Sequence, residues 1–117
     1  MNNIVKRHKD GQVAVLYSSG YGSGWSTWND SELKEQIMFD PNIVDIVQTY
    51  LDNKISHEQM QRYVTIYVED KYKGKVYNNG VDGLDIAWVP VGAKFRIEEY
   101  DGSETVICEE DYRWFTA

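Results

Sequence analysis

A single cysteine, Cys108, stands in the 117 residues of this chain. No disulfide can close within the chain, and a reducing compartment is the expected setting. The only histidines, His8 and His57, are far apart, and the spacings H-x-x-x-H, C-x-x-C and G-x-S-x-G do not occur. That argues against the common nitrogen and sulfur metal sites and against a serine nucleophile on a strand-to-helix turn. Cationic side chains are also scarce: 12 Lys and Arg face 19 Asp and Glu, a net charge of −7. A charge-driven grip on a DNA or RNA polymer, or on an anionic membrane, is therefore not expected. No apolar run reaches the length of a membrane span, and the first ten residues hold no signal-peptide core, so the expected location is the cytoplasm. No repeat, linker or low-complexity segment interrupts the sequence. One domain over 1–117 is expected, with an apolar fraction of 42% supplying a core of its own.

What the chain does concentrate is glycine and aromatic rings in Tyr17-Ser18-Ser19-Gly20-Tyr21-Gly22-Ser23-Gly24-Trp25-Ser26-Thr27-Trp28, between an apolar run and a helix start. Gly20, Gly22 and Gly24 permit positive φ and leave amides unshielded, while Tyr21, Trp25 and Trp28 supply flat π faces. Ser23 and Thr27 lie in the same stretch. A ligand that is flat at one end and anionic at the other, such as a phosphorylated nucleotide, suits this combination. The alternative is an irregular connection whose rings cap the edge of the core. The spacing is neither that of a P-loop nor G-x-G-x-x-G.

Arg96 and Arg113 stand beside aromatic rings. Arg96 shares a strand face with Tyr100, and Arg113 sits between Tyr112 and Trp114, so each guanidinium can serve as a bidentate phosphate donor or a stacking plate. Pairing with local acids is the other reading. Glu109-Glu110-Asp111 reads as a solvated charge run. The candidate ligand-binding set is Gly20, Tyr21, Gly22, Ser23, Gly24, Trp25, Thr27, Trp28, Arg96, Tyr100 and Arg113. No catalytic group, cofactor or metal is called for.

The expected fold class is α+β, a mainly antiparallel sheet from the N-terminal and C-terminal hairpins, with two or three helices from the middle of the chain packed on one side. Ile4 to Arg7 and Gln12 to Tyr17 read as strands joined at Asp10-Gly11, with Arg7 and His8 in a solvated turn. Asn29 with Glu32 suggests a capped helix through Met38. Asp40-Pro41 opens a second helix through Leu51, and Ser56 with Gln59 opens a third through about Glu69, although Val64-Thr65-Ile66-Tyr67-Val68 also suits a strand. His57 reads as surface polar. Residues 70–83 read as an exposed excursion that can act as a lid. Leu84 to Val89 reads as a strand with Trp88 in the core, Pro90-Val91-Gly92 as a turn, and Ala93 to Tyr100 and Ser103 to Glu109 as a hairpin about Asp101-Gly102. The aromatic tail 111–116 reads as a docked edge strand.

Val13-Ala14-Val15-Leu16-Tyr17 running into Gly20 to Trp28, together with Ile86-Ala87-Trp88-Val89-Pro90-Val91-Gly92-Ala93-Lys94-Phe95-Arg96-Ile97 and Glu99-Tyr100-Asp101-Gly102-Ser103-Glu104, resembles a family of small phage and prophage proteins. Within that group the resemblance is to the Thoeris anti-defence protein 1 family, phage sponges for cyclic ADP-ribose signals made by bacterial TIR proteins. It implies a soluble homo-oligomer in the infected cell, holding the nucleotide without cleaving it in pockets formed with a neighbouring subunit. It also implies, for some members, separate sites for cyclic oligonucleotides. Two other functions stay open: an acidic inhibitor that binds a defence protein through the acids of 98–111, and a signal-degrading hydrolase with Asp101 or Glu99 as base.

Overall fold

A computed structural model describes residues 4–109 and 117. Both Asp-Gly turns form as their residues dictate. Asp10 and Gly11 have φ of 52° and 77°, and Asp101 and Gly102 have φ of 48° and 86°, the doubly positive pattern that matches the twist of a two-residue hairpin. The first turn joins β1 (His8–Lys9) to β2 (Gln12–Ser18). The first strand is His8–Lys9 rather than Ile4 to Arg7, with the Arg7 carbonyl still accepting from the Ala14 amide at 2.9 Å. The Arg7 side chain holds Asp45 of the second helical segment, with Nε–Oδ1 at 3.0 Å and Nη2–Oδ2 at 2.7 Å.

Three helices follow, α1 (Ser31–Phe39), α2 (Pro41–Leu51) and α3 (His57–Tyr72). Asp30, not Asn29, precedes the first. Asn29 instead ties the 3-10 turn Ser26–Trp28 to residue 77, accepting from the Tyr77 amide at 2.7 Å and donating to the Trp25 and Tyr77 carbonyls. The capping box of Ser56 and Gln59 is present. The β-branched run after it is helical, because Met60, Val64 and Val68 recur every four residues and all face the core. This helix ends three residues later than expected, at Tyr72, capped by Lys73 in the left-handed conformation.

β3 (Leu84–Pro90) pairs antiparallel with β2 over its whole length, from Ser18 opposite Leu84 to Gln12 opposite Pro90. The turn after it passes the chain to another layer, where β4 (Phe95–Tyr100) and β5 (Ser103–Cys108) form their own hairpin. The class is α+β, and among the described residues all pairings are antiparallel, in two sheets rather than one. β2 lies in the middle of the first, and alternation along it feeds two cores. Ala14 and Leu16 face the helices with Trp25, Ile43, Val47 and Val64. Val13 and Val15 face the hairpin with Phe39, Val89, Cys108, Phe95 and Val106. Trp88 packs half-buried against the first core.

The stretch 70–83 is less open than its composition suggests. Val76 and Gly80 are buried, and Asn79–Gly83 is a 3-10 turn packed under the glycine loop. His57 is exposed, with Nε2 2.6 Å from the Asp82 carbonyl oxygen. The tail 111–116, and Arg113 with it, lies outside the described residues.

Candidate functional site

The glycine loop does form an anion cradle, and the anion is the protein's own. Glu104, on β5, is 2% exposed and reaches into residues 18–27. Its Oε1 accepts from the Ser18 amide at 2.8 Å. Its Oε2 accepts from the amides of Trp25 at 2.9 Å and Thr27 at 3.0 Å, and from the Thr27 hydroxyl at 2.5 Å. Three amides and a hydroxyl aimed at one point are what a phosphate would require, and a carboxylate satisfies them equally.

The loop is also clamped from outside. The Gly22 amide donates to the Asp101 carbonyl at 2.7 Å, and the Ser19 amide to that of Gly83 at 2.9 Å. Gly80, Gly83 and Gly102 are the close-approach points: a Cβ on Gly80 would strike the Gly24 carbonyl, and one on Gly102 the Ser23 amide. Gly102→Ala is therefore expected to cost roughly 2 kcal/mol or more, since it adds a backbone clash to a left-handed φ. A shift in the urea midpoint at unchanged slope would show it; an unmoved midpoint would contradict the clamp.

The other ring-bearing candidates separate. Trp25 is fully buried with Nε1 donating to the Ile37 carbonyl at 3.0 Å, so its ring belongs to the first core. Trp28 is half-exposed and packs against Tyr77 at 5.6 Å between centroids, and the Ser23 hydroxyl lies 3.4 Å from the Tyr77 hydroxyl. Tyr21 and Tyr100 are open to solvent, 78% and 73% exposed. Tyr100 stands in a depression it shares with Glu98, Glu99, Ser103 and Thr105, away from the loop's carboxylate. Glu99 accepts from the Gly102 amide at 2.8 Å, and Asp101 occupies the turn itself.

Thr27 and Arg96 do come together, in a cleft of about 430 Å³ between α1 and β4. Lys6, Lys34 and Arg96 bring three positive charges to it, and Glu35 one negative. Met38, Phe39, Phe95 and Ile97 supply its apolar wall. Helical spacing orders the α1 residues, because Lys34 and Glu35 lie one turn before Met38 and Phe39 on the same side of the helix. The polar end thus adjoins the 3-10 turn of Ser26 and Thr27. The aromatic end holds Phe39 edge-on to Phe95 at 6.1 Å, with the Lys6 ammonium 4.5 Å above the Phe39 ring. Arg96 donates to Glu98 at 3.1 Å. Ser26 lines the cleft while its Oγ, shut off from solvent, has no hydrogen-bond partner among the described residues.

The cleft joins Thr27 and Arg96, which the sequence singles out, with Lys6, Lys34, Glu35, Phe39 and Phe95, which it does not. The only advance signal was that cations are few, which makes three converging on one cleft informative. Among the described residues no group of His, Cys, Asp and Glu is placed to hold a metal ion. Among them, too, no helix is long and apolar enough to cross a membrane. No protein-family model, curated protein or solved structure matches the chain.

Proposed function

We propose that this protein binds a small phosphorylated nucleotide in the cleft between α1 and β4 and holds it without turning it over. The observation that carries the reading is the cleft's local charge: three cations and one acid beside two phenylalanine rings, on a protein whose net charge is −7. A field set by near neighbours can be positive in a cleft while the whole molecule is acidic. The aromatic end suits a base and the Ser26–Lys34 end a phosphate. Base stacking contributes on the order of 1–3 kcal/mol and each charge-assisted hydrogen bond roughly 1.5–3 kcal/mol. A nanomolar complex needs about −12 kcal/mol, within reach of one ring contact, the cations and the excluded water before ordering costs are subtracted.

The resemblance makes a cyclic ADP-ribose isomer the candidate ligand and sequestration of a TIR-derived signal the candidate role, in a homo-oligomer whose neighbouring subunit completes the pocket. Purified protein mixed with the product of an active TIR enzyme, freed of unbound nucleotide and then heat-denatured, is expected to release an intact cyclic ADP-ribose isomer in stoichiometric amount. Release of a cleaved product would make the protein a hydrolase instead. Lys34→Ala is expected to weaken binding about tenfold in calorimetric titration, the size of one lost charge-assisted contact. Unchanged affinity would remove the ligand from this cleft.

A second reading rests on the exposed acids Glu98 and Glu99 of β4 with Asp101 in the turn. It makes the protein an acidic inhibitor of a basic defence protein, and salt-sensitive capture of a purified defence protein in the absence of nucleotide would favour it.

A further inference from the structure

Glu35 is out of place in a cleft that gathers cations. It is exposed on α1, lines the cleft together with Lys6, Lys34 and Arg96, and among the described residues it forms no ion pair, whereas Arg96 is held by Glu98. An acid that merely balanced the cations would sit within bonding distance of one of them. An unpaired carboxylate beside a phosphate site repels a bare phosphate, whereas it attracts any ligand that presents hydroxyl or amino donors next to its phosphate. It adjoins Lys34 at the end suited to phosphate and lies one turn before Phe39 on the same side of α1. A nucleotide lying along the cleft, with its phosphate at Lys34 and its base toward Phe39, would bring its sugar past Glu35.

We infer that Glu35 is a specificity-determining residue that makes the cleft select a ribonucleotide over a simple phosphate, its carboxylate accepting hydrogen bonds from the ribose hydroxyls. The inference rests on the nucleotide reading of the same cleft. It assigns a distinct duty to each charge: the cations bind any phosphate, and Glu35 rejects those without donors at the right distance. Both contributions of Glu35 follow from one group, so removing its charge changes the two ligand classes in opposite directions.

The test is calorimetric titration of the full chain and of Glu35→Gln with three probes: cyclic ADP-ribose, adenosine 5′-monophosphate and inorganic pyrophosphate. Glu35 is exposed, and equal thermal midpoints for the two proteins would show that the variant folds. The expected result is nucleotide binding weakened and pyrophosphate binding strengthened, moving the ratio of their affinities by about tenfold or more, the size of one charge-assisted hydrogen bond. A ratio that stays within twofold while nucleotide still binds the parent would overturn the role of Glu35 and leave the cleft reading standing. If none of the probes binds the parent, the cleft reading itself fails and Glu35's role falls with it.

Discussion

Glu104→Ala is expected to lower the unfolding free energy by roughly 3–5 kcal/mol, a large share of what a domain of this size possesses. The variant leaves the amides of Ser18, Trp25 and Thr27 and the Thr27 hydroxyl facing a cavity with no acceptor. Each unsatisfied buried donor costs about 1–3 kcal/mol, with partial relief if water enters the space. Glu104→Gln keeps the shape but turns one acceptor into a donor, so it should fall between the parent and the alanine variant. The alanine variant should also be stabilised by added formate or acetate, because the vacated cradle matches a small carboxylate. Denaturation with and without formate reads both effects. Loss of less than about 1 kcal/mol would mean that the loop is held by its glycine contacts alone.

Asp40→Ala should be comparably damaging, by about 3–4 kcal/mol, for a different reason. Asp40 is 1% exposed and serves two structures at once. Its Oδ1 caps α2 by accepting from the amides of Asn42 at 3.0 Å and Ile43 at 3.2 Å. Its Oδ2 accepts from the hydroxyls of Tyr67 at 3.0 Å and Tyr72 at 2.6 Å and from the Lys71 ammonium at 3.2 Å, all on α3. Cap loss by itself is worth about 1 kcal/mol, and the rest comes from stranding the buried Tyr72 hydroxyl and its neighbours. Asp40→Asn, which keeps an acceptor for the amides, should recover the cap but not the α3 contacts.

The same cluster gives a pH dependence. Burial pushes the Tyr72 hydroxyl far above its ordinary value of 10.0, and the adjacent Asp40 carboxylate adds to the shift. Lys71 is also raised, chiefly through its hydrogen bond with Tyr67 and also by the charge of Asp40. A group held protonated in the folded state contributes its full stability below the unfolded value and loses it above. Stability should therefore fall as pH rises past about 10, where the unfolded chain releases protons that the folded chain retains. Tyr72→Phe should flatten that alkaline slope while lowering stability at neutral pH, and an unchanged slope would contradict the assignment.

How far the sequence alone reached depends on the separation of the groups involved. The turns at Asp10-Gly11 and Asp101-Gly102, the Asp40-Pro41 helix start and the Ser56 to Gln59 capping box were legible because each is decided within four residues. Asn29 misled for the opposite reason: it has the chemistry of a cap, but its amide is engaged by residue 77. The stretch 17–28 was legible as backbone open to an anion, but the amides that hold one are those of Ser18, Trp25 and Thr27 and not those of the glycines. The anion itself was not legible, because Glu104 stands 86 residues from Ser18 and sits in a stretch that reads as surface charge. Trp25 offered a ring that fits a base or a core equally well, and burial decides for the core. The cleft was the least legible feature, since Lys6, Lys34 and Arg96 come from three segments that only the packing of α1 against β4 brings together.

β2 carries a consequence for how the chain reaches this state. It feeds both cores, yet apart from two residues of β1 its backbone partner among the described residues is β3, which the helices separate from it in sequence. A ribosome delivers Val13-Ala14-Val15-Leu16 long before Leu84 to Pro90 exists, and in that interval an apolar strand has no mate. Closing so long a loop is entropically slow, so the helices are the natural early structure and the two sheets the late one. A fragment ending before Leu84 is expected to keep its helices and to aggregate through the unmated strand, and the 117-residue chain is expected to fold slowly for its size.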